Sequence, residues 1–316
     1  MKTAQLTSNQ QFTIKEIPKP IPKNEEVLVN IKTMSICGSD LRSYIKSDKH
    51  LKTPGFPCHE CTGIVIQSQT NKFKKGDHVI VVPPESNGLS EYIVVHYSKL
   101  IKLPNSMNLS TSVLCQPLAT VLYAIDQIGK IEGKTIVILG QGPIGLGFTM
   151  LLALKNPKAI IVTDPKSYRL NTAKKFGATK IINPITTNSQ KIIEDITDKA
   201  MADIVIEAAG EEKTFKESFD LIRQGGMIVA FGYPWNKIVP LNFQNMMTKQ
   251  AKIIAVSSAR AGKLNNYIKK CLKLVIEEKI NPTKFITHYV KFNEINKAYK
   301  MYLNKNDKSL KIIIQF

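Results

Sequence analysis

The sequence predicts an α/β protein with a β-rich N-terminal part and a doubly wound parallel sheet. Short β-branched runs separated by Pro, Gly and Asn fill the first hundred residues, which is typical of a sandwich or a partly open barrel. After Pro117, apolar runs of strand length alternate with helix-like stretches, as βαβ units require. A chain of 316 residues can form two domains, and the character of the sequence changes near Pro117 and again after about residue 256.

The apolar spacing predicts the following elements in order. The N-terminal strands lie in EEVLVNIKTMSI, CTGIVIQ, GDHVIVVPP and SEYIVVHYSKLIKLP. The alternating part predicts helix LATVLYAIDQIG, strand KTIVILG, helix PIGLGFTMLLALKN, strand AIIVTD, helix KSYRLNTAKKFG, strand TKIINP, helix SQKIIEDITDKA, strand ADIVIEAAG, helix TFKESFDLIRQG and strand GMIVAFG. The C-terminal part predicts helices in KLNNYIKKCLKLVIEEK and FNEINKAYKMYLNK and a final strand in LKIIIQF.

Composition limits the class of protein and the cellular compartment that we expect for it. The apolar runs fall short of the roughly 20 residues that a membrane span needs, and the N-terminus shows no signal-peptide core, so we expect a cytoplasmic protein without a membrane partner. Five cysteines in so long a chain form no disulfide framework, which favours reduced thiols.

The formal net charge of +19 raises the question of a nucleic-acid partner. Only four of the 44 basic residues are arginines, and the lysines are scattered along the chain. Arginine suits forked phosphate recognition, whereas lysine suits a hydrated surface. We therefore interpret the charge as a solvated lysine coat and do not expect nucleic acid as a partner.

A glycine-rich turn indicates a dinucleotide site. Gly140, Gly142 and Gly145 have the G-x-G-x-x-G spacing between a buried strand and an apolar helix. The first glycine permits the tight turn, the second lets the backbone approach a pyrophosphate, and the third allows close packing of helix on strand. With Pro143 and Ile144, these residues are our candidates for cofactor binding, since the helix N-terminus offers free N–H groups to phosphates.

The next predicted strand ends in an acidic residue, Asp164, which lies 19 residues beyond Gly145. A carboxylate there accepts hydrogen bonds from the ribose hydroxyls and repels a 2′-phosphate. The sequence therefore favours NAD over NADP. Arg169 lies close by in the chain and is a further candidate for cofactor contact.

Cysteine and histidine raise the question of a metal. Cys37 is one potential ligand, and His59 with Glu60 follow about twenty residues later in PCHECTG. By themselves, an adjacent His and Glu are more often a solvated pair. Cys58 and Cys61 also form a C-x-x-C, but residues three apart on a strand point to opposite faces, which argues against a redox pair.

Eight segments together resemble the zinc-dependent medium-chain dehydrogenases, most closely the sorbitol (polyol) and threonine dehydrogenase branch. They occur in the family's order and cover most of the chain: ICGSDLRSY, PCHECTGIV, KKGDHVIV, QPLATVLYAI, ILGQGPIGL, VTDPKSYRL, DIVIEAAG and IRQGGMIVAFG. The resemblance implies a GroES-like catalytic domain, formed by 1–119 and 257–316, and an NAD-binding Rossmann domain at 120–256.

The resemblance also implies roles for single residues. Cys37, His59 and Glu60 would ligate one catalytic zinc. Ser39 would pass the alcohol proton outward, and Asp40 would hold His59 by its second ring nitrogen. Relatives form dimers or tetramers, so the resemblance implies a homodimer or homotetramer, with GYPWNKIVPLNF as one plausible contact.

The sequence departs from the family at several points. VVPPESNGLSEY stands where relatives often carry a four-cysteine loop and contains no cysteine, so we expect no structural zinc. Gln116 stands where the polyol branch usually has Glu, and an amide is a poor zinc ligand, so we expect it to bond water or substrate. Arg42 replaces a common His, which leaves the outer end of the proton relay open.

These features predict an NAD-dependent oxidoreductase that acts on a polar secondary alcohol: a polyol, a sugar alcohol or a hydroxy acid. Two alternatives stay open at this point. The first is a zinc-free reductase of the same superfamily, acting on quinone or enone double bonds. The second is a basic nucleic-acid-binding protein built on a nucleotide-binding scaffold.

Overall fold

A computed structural model describes residues 1–45, 53–236, 238–257, 263–304 and 308–316. The chain divides into two compact units. The β-rich unit consists of Met1–Pro117 and Ile268–Phe316, and the parallel-sheet unit consists of Leu118–Tyr267. Our assignment of a catalytic domain and an NAD-binding domain, with boundaries at 119 and 257, stays a prediction.

The elements follow one another in this order: β1 (Lys2–Leu6), β2 (Phe12–Glu16), β3 (Glu26–Ser35), α1 (Gly38–Ile45), β4 (Glu60–Ser68), β5 (His78–Val81), β6 (Tyr92–His96), β7 (Leu100–Lys102), α2 (Leu109–Ser112), α3 (Cys115–Ile128), β8 (Thr135–Leu139), α4 (Pro143–Ala153), β9 (Ala159–Thr163), α5 (Ser167–Lys175), β10 (Lys180–Ile182), α6 (Ser189–Ile196), β11 (Ala202–Glu207), α7 (Glu212–Leu221), β12 (Ile222–Ala230), α8 (Phe243–Lys249), β13 (Lys252–Ala255), α9 (Leu264–Ile276), β14 (Ile286–Lys291), α10 (Ile295–Asn304) and β15 (Lys311–Gln315).

The β-rich unit is built around a seven-stranded sheet. Its order is β14-β15-β3-β4-β5-β7, with β6 also paired to β3, and β1 and β2 form a separate antiparallel pair. Strand β3 lies in the middle of this sheet. Nearly all of its ten side chains are buried, because both of its faces are packed against the rest of the unit. The predicted β-rich GroES-like fold is confirmed.

The parallel-sheet unit has six strands in the order β10-β9-β8-β11-β12-β13. The chain runs outward from β8 through β9 to β10 and then returns to β11 on the other side of β8. All five side chains of β8 are buried, as the middle strand of a sheet covered on both faces requires. The predicted doubly wound Rossmann fold is confirmed, and the reversal between β8 and β11 is where such sheets bind ligands.

Several predicted helices extend a few residues past the observed ends, and one of them runs into a strand. The helix expected over TFKESFDLIRQG ends at Leu221, and Ile222 already pairs with Ala202 as the first residue of β12. Pairing with the neighbouring strand therefore overrides local helical spacing at this point. Across the described ranges, every helix is too short or too polar to cross a membrane.

Candidate metal centre and nucleotide-binding turn

Adjacent strands of the β-rich unit bring the predicted metal ligands together. Cys37 follows the end of β3, whereas His59 precedes β4 and Glu60 begins it. Ser35 of β3 pairs with Glu60 on one side and with Ile313 of β15 on the other. As a result, potential ligand atoms of Cys37, His59 and Glu60 all lie within 4.8 Å of one another.

Asp40 ties two of these segments together. One carboxylate oxygen accepts the Cys37 backbone N–H at 2.9 Å, and the other lies 3.0 Å from His59 Nδ1. Burial acts to lower the pKa of His59, but the charges of Asp40 and Cys37 outweigh it and raise that pKa well above its ordinary value. Because Nδ1 faces Asp40, the other ring nitrogen is left for a metal.

Sequence reasoning missed Lys311, the first residue of β15. Its ammonium lies 2.8 Å and 2.7 Å from the two carboxylate oxygens of Glu60, and it donates to the Ile36 carbonyl at 3.1 Å. Burial acts to lower the pKa of Lys311, but the Glu60 carboxylate raises it above its ordinary value. A lysine at the start of the apolar run LKIIIQF was a visible signal, but the sequence could not identify its partner.

A second missed residue, Tyr299 of α10, supports the segment that carries His59. Its buried hydroxyl donates to the Pro57 carbonyl at 2.6 Å, and burial raises the pKa of this phenol well above its ordinary value. On the other side, Cys58 N donates to the Ser86 carbonyl at 2.6 Å and Gly88 N donates to the Cys58 carbonyl at 3.0 Å. The cysteine-free loop thus packs directly against the metal-ligand segment.

The prediction that the Cys58 and Cys61 side chains point to opposite faces was wrong. Their sulfur atoms are 3.7 Å apart, and both side chains are buried. Alternation of faces does not apply, because Cys58 lies outside β4, which begins only at Glu60. A Cβ on Gly88 would lie 2.1 Å from the Cys61 sulfur, so only glycine fits beside this thiol pair.

Ser39 and Gln116 occupy different environments. Ser39 is exposed in the first turn of α1, two residues after Cys37. Gln116 is buried in the first turn of α3. The roles predicted for them, in proton transfer and in bonding to substrate, stay predictions.

The three ligand side chains fit a zinc ion. A thiolate, an imidazole and a carboxylate are groups that zinc binds, and three protein ligands leave a coordination position for water or substrate. Ligands of a tetrahedral zinc lie ~3.5 Å from one another, given bond lengths of about 2.0–2.3 Å. Atoms within 4.8 Å therefore need only small side-chain movements to reach a common ion.

The glycine turn of the parallel-sheet unit has the geometry that the spacing predicts. Gly140 adopts a φ of +90°, which side chains rarely tolerate. A Cβ on Gly145 would lie 1.9 Å from the Gly140 carbonyl oxygen, whereas one on Gly142 would meet only Arg169, at 4.0 Å. Gly142 is the N-cap of α4, and Pro143 is the first helical residue. The first turn of α4 therefore has free N–H groups, and no protein atom crowds its N-cap residue.

Asp164 lies buried beside this turn. Its oxygens accept the backbone N–H groups of Gln141 and Lys166, both at 2.8 Å, and Arg169 Nη1 is 3.4 Å from one of them. Burial acts to lower the pKa of Arg169, but the Asp164 charge raises it above its ordinary value. A carboxylate has about four acceptor positions, so one is left for a ligand hydroxyl.

Comparison with known proteins gives the family. Residues 143–277 match the family described as zinc-binding dehydrogenase, and residues 23–105 match the alcohol dehydrogenase GroES-like domain. The sorbitol dehydrogenase of Bacillus subtilis (strain 168) is 28% identical over 274 residues, which cover 77% of this chain and 78% of that protein.

Two further relatives extend over more of the chain. A probable D-xylulose reductase A of Emericella nidulans is 29% identical over 335 residues, covering 94% of this chain and 91% of that protein. An alcohol dehydrogenase of Escherichia coli CFT073, solved in complex with the cofactor NADH, superimposes with a TM-score of 0.87 at 25% identity, covering 100% of this chain and 99% of that one.

The chain belongs to the zinc-type medium-chain dehydrogenases of the polyol branch. It is an oxidoreductase whose cofactors are zinc and a nicotinamide dinucleotide. The zinc-free reductase and the nucleic-acid-binding protein are not favoured by these relatives.

Proposed function

We propose that Cys37, His59 and Glu60 hold a catalytic zinc and that the protein oxidises a polar secondary alcohol with NAD. The observation that carries the proposal is the convergence of these three ligand side chains from two strand ends to within 4.8 Å. When bound, zinc supplies a Lewis acid that lowers the pKa of an alcohol, and NAD supplies the hydride acceptor.

Neighbouring side chains orient the proposed zinc ligands and offer a route for the alcohol proton. Asp40 fixes the Cys37 backbone with one oxygen and the His59 ring with the other, which sets both ligand directions. Ser39, exposed next to this pair in the chain, is our candidate for accepting the alcohol proton and passing it to water.

The proposed substrate class is inferred from polar residues that the family resemblance assigns to the predicted site. Ser39 and Gln116 offer hydroxyl and amide groups, and Arg42 on α1 adds a cation that suits a carboxylate or a phosphate. Relatives named sorbitol dehydrogenase and D-xylulose reductase support a polyol or sugar alcohol. The favoured cofactor is NAD, since the buried Asp164 carboxylate repels a 2′-phosphate.

A screen for NAD reduction tests this function. The protein is assayed against polyols, sugar alcohols and hydroxy acids, before and after removal of metal with a chelator and after return of zinc. We expect activity that disappears with the metal and returns with it. Full activity in the metal-free protein contradicts the proposal.

Substitution of the thiolate ligand provides the second arm of the test. Cys37→Ser is expected to lower kcat/KM by at least about a hundredfold, since Lewis-acid assistance is worth several kcal/mol. NAD binding, followed by calorimetry, should change less than about twofold, because the nucleotide turn lies in the other unit. Cys271→Ala, which removes another buried thiol, is the control and should retain activity.

We also propose that the protein assembles as a homodimer through the edge of the parallel sheet. Strand β13 is an edge strand with mostly exposed residues, and Ile253 within it is 38% exposed. Phe243 and Met247 on the adjoining helix α8 are more than half exposed. An uncovered edge flanked by apolar side chains is a surface that proteins normally cover.

Light scattering after size exclusion tests the assembly. We expect wild-type protein at the mass of a dimer or a tetramer, and Ile253→Lys at a smaller mass. Ile185→Lys, at an exposed apolar residue outside this edge, is the matched control and should leave the mass unchanged. A monomeric wild-type protein contradicts the proposal.

A further inference from the structure

The buried ion pair of Lys311 and Glu60 is complete without any metal. Glu60 is fully buried, and the Lys311 side chain is 4% exposed. The ammonium has three protons, which are directed at the two Glu60 oxygens and the Ile36 carbonyl, at 2.7–3.1 Å. Each charge therefore has its counter-charge, and the ammonium has all of its hydrogen bonds.

Burial makes this pairing a requirement. A carboxylate that is buried away from water without a partner is strongly destabilising. Lys311 supplies this partner in the metal-free protein and holds both oxygens of Glu60.

The same contact opposes the metal. Each carboxylate oxygen has two acceptor positions, so the ammonium leaves about one on each oxygen for an ion. An ammonium held less than 3 Å from a ligand oxygen must nevertheless repel a divalent cation bound to that oxygen. Lys311 therefore both orients the Glu60 carboxylate and weakens its contact with a metal ion.

We propose that Lys311 is a positioning residue that holds the Glu60 carboxylate in place before metal arrives, and that it lowers zinc affinity as a consequence. This inference rests on the proposed zinc site at Cys37, His59 and Glu60. The β-rich unit then folds without zinc, and zinc binds to a site that already exists.

A different result is expected if the Lys311–Glu60 ion pair serves only to join strands. Lys311 begins β15, and Glu60 begins β4, which both pair with β3, so the contact also joins strands of one sheet. If joining strands were its only role, its loss would destabilise metal-free and zinc-loaded protein equally. Zinc affinity would then stay unchanged.

The experiment compares Lys311→Met, Glu60→Gln and the double variant in chelator-treated and zinc-loaded form. Thermal unfolding gives Tm, and competition with a chromogenic chelator gives the zinc dissociation constant. For Lys311→Met we expect a metal-free Tm lower by roughly 10 °C, as for other broken buried pairs in chains of this size. Zinc should restore most of that loss, because its charge replaces the ammonium.

The zinc dissociation constant of Lys311→Met should fall at least about tenfold, since a nearby positive charge is removed. The metal-free double variant should be more stable than Lys311→Met, because no unpaired carboxylate is left. Lys102→Met is the matched control. Lys102 pairs with the buried Asp77 at 2.8 Å in the same sheet but is half-exposed, so zinc affinity should not change.

Unchanged or weaker zinc binding by Lys311→Met overturns the proposal. If that variant is not recovered folded even with zinc, Glu60→Gln is compared with the double variant, where loss of the ammonium must again tighten zinc binding. Equal or weaker binding in that pair likewise overturns the proposal. A wild-type protein that binds no zinc instead contradicts the proposed function, on which this inference depends.

Discussion

The two predicted sites are constructed in opposite ways. The nucleotide-binding turn is one continuous run, from Gly140 to Gly145, whose shape depends on missing side chains and on the start of a helix. The metal-ligand group instead draws its ligands from two parts of the chain and, with Lys311 from a third part, depends on balanced buried charges. Activity or stability at the first site should therefore fall when atoms are added, whereas stability or metal affinity at the second should change when a charge or a hydrogen bond is removed.

The largest expected effect is that of an added methyl group at Gly145. The Cβ of Gly145→Ala would lie 1.9 Å from the Gly140 carbonyl, so the turn must shift. A shift of ~1 Å at a positioned site costs about a hundredfold, which we expect in kcat/KM for NAD. Tm should fall by roughly 5 °C, as for other overpacked sites.

Gly142→Ala is the matched substitution for that prediction. Its Cβ would meet nothing closer than Arg169 at 4.0 Å, so the free protein should keep its Tm. NAD binding should still weaken, because the methyl group stands where a pyrophosphate approaches the backbone. Equal stability of Gly145→Ala and wild type would contradict the account of this turn.

The next largest effect concerns the charge network around the metal ligands. Asp40→Asn removes the carboxylate that holds both the Cys37 backbone and the His59 ring. Zinc affinity should fall roughly 10- to 100-fold, as for other residues that orient a metal-bound histidine. Chelator competition measures the change, with NAD affinity as the internal control. Unaltered zinc binding would show that Asp40 does not position the ligands.

A smaller effect is expected on the choice of cofactor. Asp164→Asn removes the negative charge but keeps an acceptor for the Gln141 N–H. The ratio of kcat/KM for NADP to that for NAD should rise about tenfold, because repulsion of the 2′-phosphate disappears. Steady-state kinetics with both cofactors measure the ratio. A ratio equal to that of wild type would rule out charge repulsion by Asp164 as the basis of selection.

The smallest effect lies away from both sites, in the parallel-sheet unit. Burial acts to raise the pKa of Asp203, but the Thr135 N–H bond and the contacts with Arg223 and Lys134 outweigh it and lower that pKa below its ordinary value of 3.8. A lowered pKa in the folded state stabilises the protein above that value, and the contribution is lost as pH falls through the folded pKa.

Asp203→Asn tests this linkage. Its Tm should be about 2 °C below that of wild type at pH 7, a small value because these ion pairs are partly exposed. The difference should shrink as the pH is lowered below about 4. A difference that grows on acidification would reverse the sign of the proposed contribution.

The sequence predicted the parallel-sheet unit in more detail than the β-rich unit. Glycines, a strand and a helix in one short run specify the turn, because their conformational demands are local. The helix over TFKESFDLIRQG was predicted too long, since strand pairing at Ile222 is not a local property. Alternation of side-chain faces also predicted the wrong relation between Cys58 and Cys61, because Cys58 lies before the start of β4.

By itself, the sequence determined the two fold types and the glycine turn, because periodicity and backbone freedom belong to individual residues, whereas the three metal-ligand candidates came from its resemblance to a known family. Only the tertiary structure decided that Lys311 neutralises Glu60 across 251 residues of chain and that Tyr299 holds the segment before His59. Both contacts depend on strand order and helix packing, which bring together charges and hydrogen-bonding groups that no local pattern relates.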